Sequence, residues 1–228
     1  MTHHEYAAHR LPRQLSPGQL HQFASLAREA ARSIPAMILY RQHELEWTDE
    51  DWAKALENNK LYWVVCTATT SETPASNTLE EGRWVGIGCL HGPLTESTER
   101  RLQLEEYAID DDGARVPSWG GSRLFIKAKH RASKQAVEQI FAASYRIISD
   151  ETAGNGKAAL FTTVAGHFED TILLQYYADS GAEKVGHMSH ADCLELYGEM
   201  DRLPKDALAD ATADIMKSKL LLRFRWSF

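Results

Sequence analysis

The sequence lacks the features that place a chain in a membrane or in a disulfide-stabilised fold. Its longest apolar run, residues 61–66, is far shorter than the roughly 18 residues that a membrane-spanning helix needs. The three cysteines are odd in number and scattered, which argues against a disulfide framework. Residues 1–13 are polar and histidine-rich, unlike the apolar stretch of a secretory signal. We therefore expect a soluble, cytoplasmic protein.

Positive charge is also in short supply. The chain has 25 Lys and Arg residues against 32 Asp and Glu residues, which gives a formal net charge of −7 at pH 7. Such a chain is poorly suited to broad binding of nucleic acid or of an acidic membrane, so we expect neither as a partner. Any anion that the protein binds must be held by a local basic patch.

Hydrophobic patterning, in contrast, is strong enough to predict a mixed α/β chain. With 228 residues and 43% hydrophobic content, we expect a flexible arm at residues 1–10, whose histidines are solvated, and a single domain at 11–228. Apolar spacing and capping signals predict helices at 17–34, 48–57, 136–149, 168–179, 192–200 and 207–216. Alternating or wholly apolar segments predict strands at 11–15, 61–67, 83–90, 123–129, 158–164, 182–188 and 220–228. Residues 95–121 are expected to form an acidic surface insertion that ends in a turn at 117–121.

The most informative segment is a basic cluster between a predicted strand and a predicted helix. It contains five cations within twelve residues of an otherwise acidic chain: Arg123, Lys127, Lys129, Arg131 and Lys134. A helix that follows a strand presents backbone N–H groups at its first turn, and these attract anions together with the side-chain charges. The segment therefore predicts a phosphate site, although a solvated basic strand edge would have the same composition.

The order of these elements resembles the GNAT superfamily of acyl-CoA N-acyltransferases. The strand Leu124-Phe125-Ile126 is followed by the basic segment and a long helix, and a Trp84-Val85-Gly86 strand precedes a Gly92-Pro93 step as in fungal members of unassigned substrate. In that family, an Arg or Gln, two residues, a Gly, one residue, and a Gly or Ala wrap the pyrophosphate of coenzyme A. Arg131 and Ala136 match the ends of this motif, and Lys134 stands at its first glycine. The resemblance implies that acetyl-CoA is held by Phe125, Ile126, Arg131, Ala132, Ser133, Lys134, Gln135 and Ala136, without a metal.

A second signature of the family is a Tyr four residues before a Gly at the end of the next helix, which Tyr177 and Gly181 match. In the family this Tyr donates a proton to the departing coenzyme A thiolate. The sequence departs from the pattern at Asp170, where the family usually has Asn, and at Ala182, where it has an aromatic residue. A tyrosine packed in the core would have the same local sequence.

The resemblance further implies direct acetyl transfer within a ternary complex. An alkyl amine has a pKa near about 10, so a base must remove its proton at neutral pH, and the candidates are Glu105, Glu106 and His91. A backbone N–H of Phe125 or Ile126 would hold the oxyanion. His187, His190 and Asp192 lack a fourth ligand, so we expect no metal site there.

The sequence thus predicts an α/β, GNAT-like fold with a mixed, mainly antiparallel central sheet of about seven strands and helices on both faces. The expected function is acetyl-CoA-dependent N-acetylation of a small-molecule amine. A non-catalytic acyl-CoA-binding or partner-binding module and a protein or peptide acetyltransferase stay open as alternatives. The oligomeric state, monomer or homodimer, also stays open.

Overall fold

A computed structural model describes residues 4–33, 42–70, 78–152, 157–165, 171–198 and 221–227. The helices are α1 (Pro17–Ser33), α2 (Asp49–Glu57), α3 (Glu96–Arg101), α4 (Lys134–Glu151), α5 (Thr171–Asp179) and α6 (His190–Leu196), with short 3-10 turns at Gln42–Leu45, Glu105–Tyr107 and Ala128–His130. The strands are β1 (His4–Arg10), β2 (Leu61–Thr70), β3 (Arg83–His91), β4 (Ser118–Ile126), β5 (Ala159–Ala165), β6 (Glu183–Met188) and β7 (Leu221–Ser227). None of the described helices is long and apolar enough to span a membrane.

Within these residues, the seven strands pair in the order β1-β2-β3-β4-β5-β7-β6. β1 pairs antiparallel with β2, and β7 pairs antiparallel with both β5 and β6. β4 and β5 pair in parallel, with Ser118, Trp119 and Gly120 opposite Ala159, Leu160 and Phe161. The mixed α/β class with a mainly antiparallel sheet is therefore confirmed.

The chain divides into two compact units. The first unit comprises Met1–Cys89 and Arg123–Ile147, and the second comprises Leu90–Ser122 and Ile148–Phe228. Each unit has its own buried side chains, which are described separately below.

The core of the first unit is rich in aromatic residues. Phe23 on α1, Trp52 on α2 and Trp63 on β2 are at most 2% exposed, and their rings meet edge to face at 5.0–6.3 Å. α2 begins with a capping box, in which the Thr48 hydroxyl accepts from the backbone N–H of Asp51 while the Asp51 carboxylate accepts from the backbone N–H of Thr48. Such edge-to-face pairs stabilise a core beyond the burial of their area, and here they connect α1, α2 and β2.

The second unit fully buries Trp119, and it also contains a buried polar contact between β5 and Tyr197. Thr163 on β5 donates its backbone N–H to the hydroxyl of Tyr197 at 3.0 Å, and the two hydroxyl oxygens lie 2.7 Å apart. Gly120 is required here, because the carbonyl of Leu196 occupies the space in which a side chain on β4 would stand. All three cysteines are buried and unbridged, as the sequence predicts.

The structure corrects two parts of the sequence interpretation. The flexible arm and the strand at 11–15 are wrong, because His4–Arg10 form β1, and His4 pairs opposite Thr70 on β2. The turn at 117–121 is also wrong, because β4 already begins at Ser118. Of the two glycines that suggest a turn, Gly120 is needed because the Leu196 carbonyl comes close to the strand. The predicted helix at 207–216 and Asp170 lie outside the described residues.

Candidate functional site

The basic segment folds into two consecutive turns that lead into α4. After β4 ends at Ile126, the backbone N–H of His130 donates to the carbonyl of Lys127 at 2.8 Å, and the N–H of Ser133 donates to the carbonyl of His130 at 2.9 Å. α4 then begins at Lys134. Ala136, which matches the end of the family's motif, is fully buried, whereas Lys134 and Gln135 before it are exposed.

α4 lies close against the sheet because two glycines on β3 leave room for it. A Cβ on Gly88 would stand 2.9 Å from Cγ2 of Ile140, and one on Gly86 would stand 3.2 Å from Cδ1 of the same residue. Side chains at these positions would push the helix outward. The glycine of Trp84-Val85-Gly86 therefore allows α4 to pack close to β3 at Ile140.

Three cations of the segment face solvent around the start of α4. Lys129, Arg131 and Lys134 are exposed, and Lys134 lies 4.0 Å from the Glu138 carboxylate one turn along the helix. Lys127 is less exposed, and its ammonium lies 3.6 Å from the Glu29 carboxylate. Together with the N-terminal end of the helix dipole, this arrangement suits a phosphate group.

Arg123, which the sequence groups with these cations, does not belong to the exposed patch. Its side chain is 6% exposed, and both terminal nitrogens donate to the Glu44 carboxylate, at 2.6 and 2.8 Å. Its guanidinium also lies 5.0 Å from the ring centroid of Trp63. Sequence reasoning missed Glu44, since it stands 79 positions away and nothing in its local sequence marks it.

His130 connects the basic segment to β1. It is 6% exposed, its Nδ1 lies 3.1 Å from the Tyr6 hydroxyl, and its ring meets the His4 ring edge to face at 4.8 Å. Burial, followed by the electrostatic effects of His4 and of the nearby cations, holds the pKa of His130 below its usual value. A neutral imidazole thus contacts β1 from the cationic turn. This contact was not expected, because the sequence predicts a flexible arm at these residues.

The backbone geometry distinguishes the two amides that the resemblance offers for an oxyanion. The N–H of Lys127 donates to the carbonyl of Val85 on β3 at 2.8 Å. Because backbone groups alternate along a strand, the N–H and C=O of Phe125 also face β3, and its carbonyl lies 3.1 Å from where a Cβ on Gly86 would stand. The Ile126 amide faces the opposite edge of β4. Of the two, only Ile126 is oriented to bind an acyl oxygen on that edge.

Tyr177 lies in the second unit, near the end of α5, and is 2% exposed. The N–H of Ala182 donates to the Tyr177 carbonyl at 2.9 Å, and the N–H of Gly181 donates to the Ala178 carbonyl at 3.3 Å. With Gly181 at φ +79°, this is a Schellman motif. The spacing of Tyr and Gly is therefore also the spacing of a helix end, which needs glycine for its left-handed residue.

The candidate bases lie in the second unit as well. Glu105 and Glu106 are exposed on a 3-10 turn, and Glu105 lies 3.4 Å from Arg100. His91 is more constrained, since its Nδ1 lies 2.8 Å from the Leu196 carbonyl and its ring packs against Gly198. A carbonyl can only accept, so Nδ1 carries the proton.

Of the residues near β6 that could be considered for a metal site, the side chain of His190 lies outside the described part of the structure. His187 is exposed, and the Asp192 carboxylate accepts from the N–H of Ser189 in the capping box of α6. Across the described part of the chain, no group of three or more His, Cys, Asp or Glu residues is placed to hold a metal ion.

Comparison with known proteins identifies the fold. No protein-family model and no curated protein matches this sequence. Among solved structures, a GNAT-family protein from Desulfovibrio desulfuricans, assigned as an acetyltransferase, is 14% identical and has a TM-score of 0.50 over 97% of this chain and 98% of its own. Arabidopsis thaliana NAA60 in complex with acetyl-CoA is 8% identical and has a TM-score of 0.54 over 98% of each chain.

A protein from Acinetobacter baylyi ADP1, also assigned as an acetyltransferase, is 9% identical and has a TM-score of 0.55 over 100% of this chain and 95% of its own. These similarities extend over nearly the whole chain and include the mainly antiparallel sheet. The chain has the fold of the GNAT-family acetyltransferases.

Proposed function

We propose that this protein is an acetyl-CoA-dependent N-acetyltransferase that transfers the acetyl group directly to a small-molecule amine in a ternary complex. The observation that carries the proposal is the arrangement of hydrogen-bond donors and cations at the end of β4 and the start of α4. There, the Ile126 amide faces away from β3, and exposed cations surround the start of α4 immediately downstream. An acyl oxygen and a pyrophosphate need these two kinds of donor close together in the chain.

The residues of this segment suit coenzyme A. Arg131 can donate two parallel hydrogen bonds to a phosphate, and Lys134 adds a point charge in place of the close backbone approach that a glycine allows. Ala132, Ser133, Gln135 and the buried Ala136 complete the turn that we propose wraps the pyrophosphate. The resemblance to fungal members of the superfamily rests on Trp84-Val85-Gly86 and Gly92-Pro93 and belongs to this proposal.

The proposed reaction exchanges one bond for another. The ammonium form of the amine first gives one proton to a base. Its nitrogen then bonds to the acetyl carbon and loses a second proton to solvent, and the carbon–sulfur bond breaks. The Ile126 amide stabilises the negative oxygen that forms in between. The Tyr177 hydroxyl donates the proton that converts the departing thiolate to a thiol, and Glu105, Glu106 or His91 accepts the proton of the amine.

Two alternatives are favoured by particular observations. The burial of Tyr177 and the replacement of the motif glycine by Lys134 would suit a non-catalytic module that binds acyl-CoA or a partner protein. Exposed acids such as Glu106 would suit a cationic acceptor of any size, including a peptide.

We further propose a cytoplasmic location, which the three buried, unbridged thiols support.

The deciding experiment measures acetyl-CoA binding by calorimetry and then thiol release across a panel of amines and basic peptides. Ellman's reagent suits this chain, because burial raises the pKa of Cys66 to about 12 and the other two cysteines are also buried. Release that depends on a small amine supports the proposal. Release with peptides alone favours a peptide acetyltransferase, and binding without release from any acceptor favours the non-catalytic module.

A further inference from the structure

The buried ion pair between Arg123 and Glu44 has no role in the proposed contacts with coenzyme A. Their side chains are 6% and 2% exposed, and the guanidinium donates to both carboxylate oxygens. Burying two charges is costly, and replacing such a pair by apolar residues is often neutral or stabilising. A need for stability alone therefore explains this pair poorly.

The backbone of Arg123 is a second unusual feature at the same place. Its φ is +58°, in the left-handed region that residues with a side chain seldom adopt, and it lies inside β4 rather than in a turn. Strain of this kind persists only where surrounding contacts hold it, and it is concentrated at functional sites. The Glu44 carboxylate and the Trp63 ring both contact this side chain.

The strained residue lies three positions before Ile126, whose amide faces away from β3. Beyond Arg123, β4 resumes regular pairing, since the N–H of Lys127 reaches the Val85 carbonyl. The position at which β4 resumes its alternation decides which amide faces away from β3. Fixing Arg123 therefore fixes the direction of the Ile126 N–H. Glu44 brings the 3-10 turn before α2 to the same point.

We propose that Arg123 and Glu44 are a positioning pair, which holds the irregular backbone of β4 so that the Ile126 amide donates to the acyl oxygen of acetyl-CoA. This inference deepens the proposed function and rests on it. The pair touches neither the acyl group nor the acceptor. It acts through the backbone of β4, and the guanidinium also lies over the Trp63 ring.

The test uses an apolar double variant, Glu44→Leu with Arg123→Met, beside the single variant Glu44→Gln. The double variant removes both members of the pair together, so neither charge stays buried without the other, and it is expected to keep the fold. Asp49→Asn is the matched control, because its carboxylate pairs with Arg28 at 3.3 Å in the same unit but is 39% exposed and not connected to β4.

Two measurements follow for each folded variant. The first is the carbonyl ¹³C signal of bound acetyl-CoA labelled at that carbon, which moves downfield when the oxygen accepts a hydrogen bond. The second is kcat with an amine found for the parent. We expect the double variant to lose most of the bound carbonyl shift and to lose about ten- to a hundredfold in kcat, with the Kd for acetyl-CoA nearly unchanged. Asp49→Asn should match the parent in both.

Each outcome decides the matter. A double variant with the parent's carbonyl shift and kcat overturns the inference and leaves the proposed function intact. A double variant that does not fold also overturns it, since the pair would then be an element of folding. If Glu44→Gln alone fails to fold, the double variant still decides. A parent that does not bind acetyl-CoA refutes the proposed function itself, independently of the variants.

Discussion

Reversing the charge of Arg131 and Lys134 should weaken acetyl-CoA binding by about a hundredfold or more. A hydrogen bond to a charged group contributes about 1.5–3 kcal/mol, and exposure places both residues at the lower end of that range. Removing both hydrogen bonds to the phosphates therefore costs about 3 kcal/mol of binding free energy, and every 1.4 kcal/mol changes Kd about tenfold.

The two residues should not contribute equally. Lys134 lies 4.0 Å from the Glu138 carboxylate, which neutralises part of its charge before any ligand arrives. Arg131 is exposed, and its planar guanidinium can form paired bonds with phosphate, which an ammonium group cannot do. We therefore expect Arg131→Glu to weaken binding more than Lys134→Glu does.

Isothermal titration calorimetry with acetyl-CoA at low and high salt provides the measurement. Lys60→Glu is the matched control, because Lys60 is exposed in the same unit and immediately precedes β2. The basic segment lies at the other end of that strand, since His130 contacts His4 and His4 pairs with Thr70. Parent binding should weaken as salt rises. An unchanged Kd in the double Glu variant would refute the proposed position of the coenzyme A site.

Three further results are expected. Tyr177→Phe should lower turnover at least about tenfold, with unchanged acetyl-CoA affinity and melting temperature, because it removes a proton donor and keeps the ring. His130→Gln should reduce the loss of stability between about pH 7.5 and 5.5, measured by urea denaturation at each pH. The pKa of His130 is lowered in the folded protein, so the unfolded chain takes up its proton first and the parent is destabilised as pH falls below the ordinary value of 6.5. Gly181→Ala should cost about 1–2 kcal/mol of unfolding free energy, because φ is +79° there while the space around it is open.

Controls distinguish these effects from general damage. A large loss of melting temperature in Tyr177→Phe, with turnover reduced only in proportion to unfolded protein, would make Tyr177 a core residue. Identical pH dependence of the parent and His130→Gln would contradict the neutral, buried imidazole. Gly18→Ala also introduces a methyl group into open space, but near the start of α1, so it should not destabilise the chain. Equal losses at Gly18 and Gly181 would contradict the argument from φ.

Predictions from local signals agree well with the structure. The Thr48 and Asp51 spacing predicts the start of α2, and the capping box forms as expected because both partners lie within one helical turn. The amphipathic pattern of α4 and the β-branched and aromatic residues of β2 also predict the elements that the structure has there. In each case the residues that decide the structure are neighbours in the chain.

The errors occur where a distant segment decides. The polar sequence of residues 4–10 predicts a flexible arm. These residues form a strand because the backbone of β2 pairs with them. Residues 117–121 read as a turn, yet Gly120 lies in β4 because the carbonyl of Leu196 passes beside it. Neither β2 nor the Leu196 carbonyl is part of the local sequence of these residues. Secondary-structure propensity alone therefore favours the wrong assignment.

The amino-acid sequence by itself determined the α/β class, the positions of most helices and strands, and the basic segment before α4. These depend on the period of apolar residues and on capping within a turn or two, which are local properties. Only the tertiary structure decided that Arg123 pairs with Glu44 and so does not belong to the cationic patch. It also decided that the buried His130 is neutral. Finally, it decided that the amide of Ile126, rather than that of Phe125, faces away from β3. Each of these depends on which strand or turn packs beside the residue, and that is set by contacts between segments far apart in the chain.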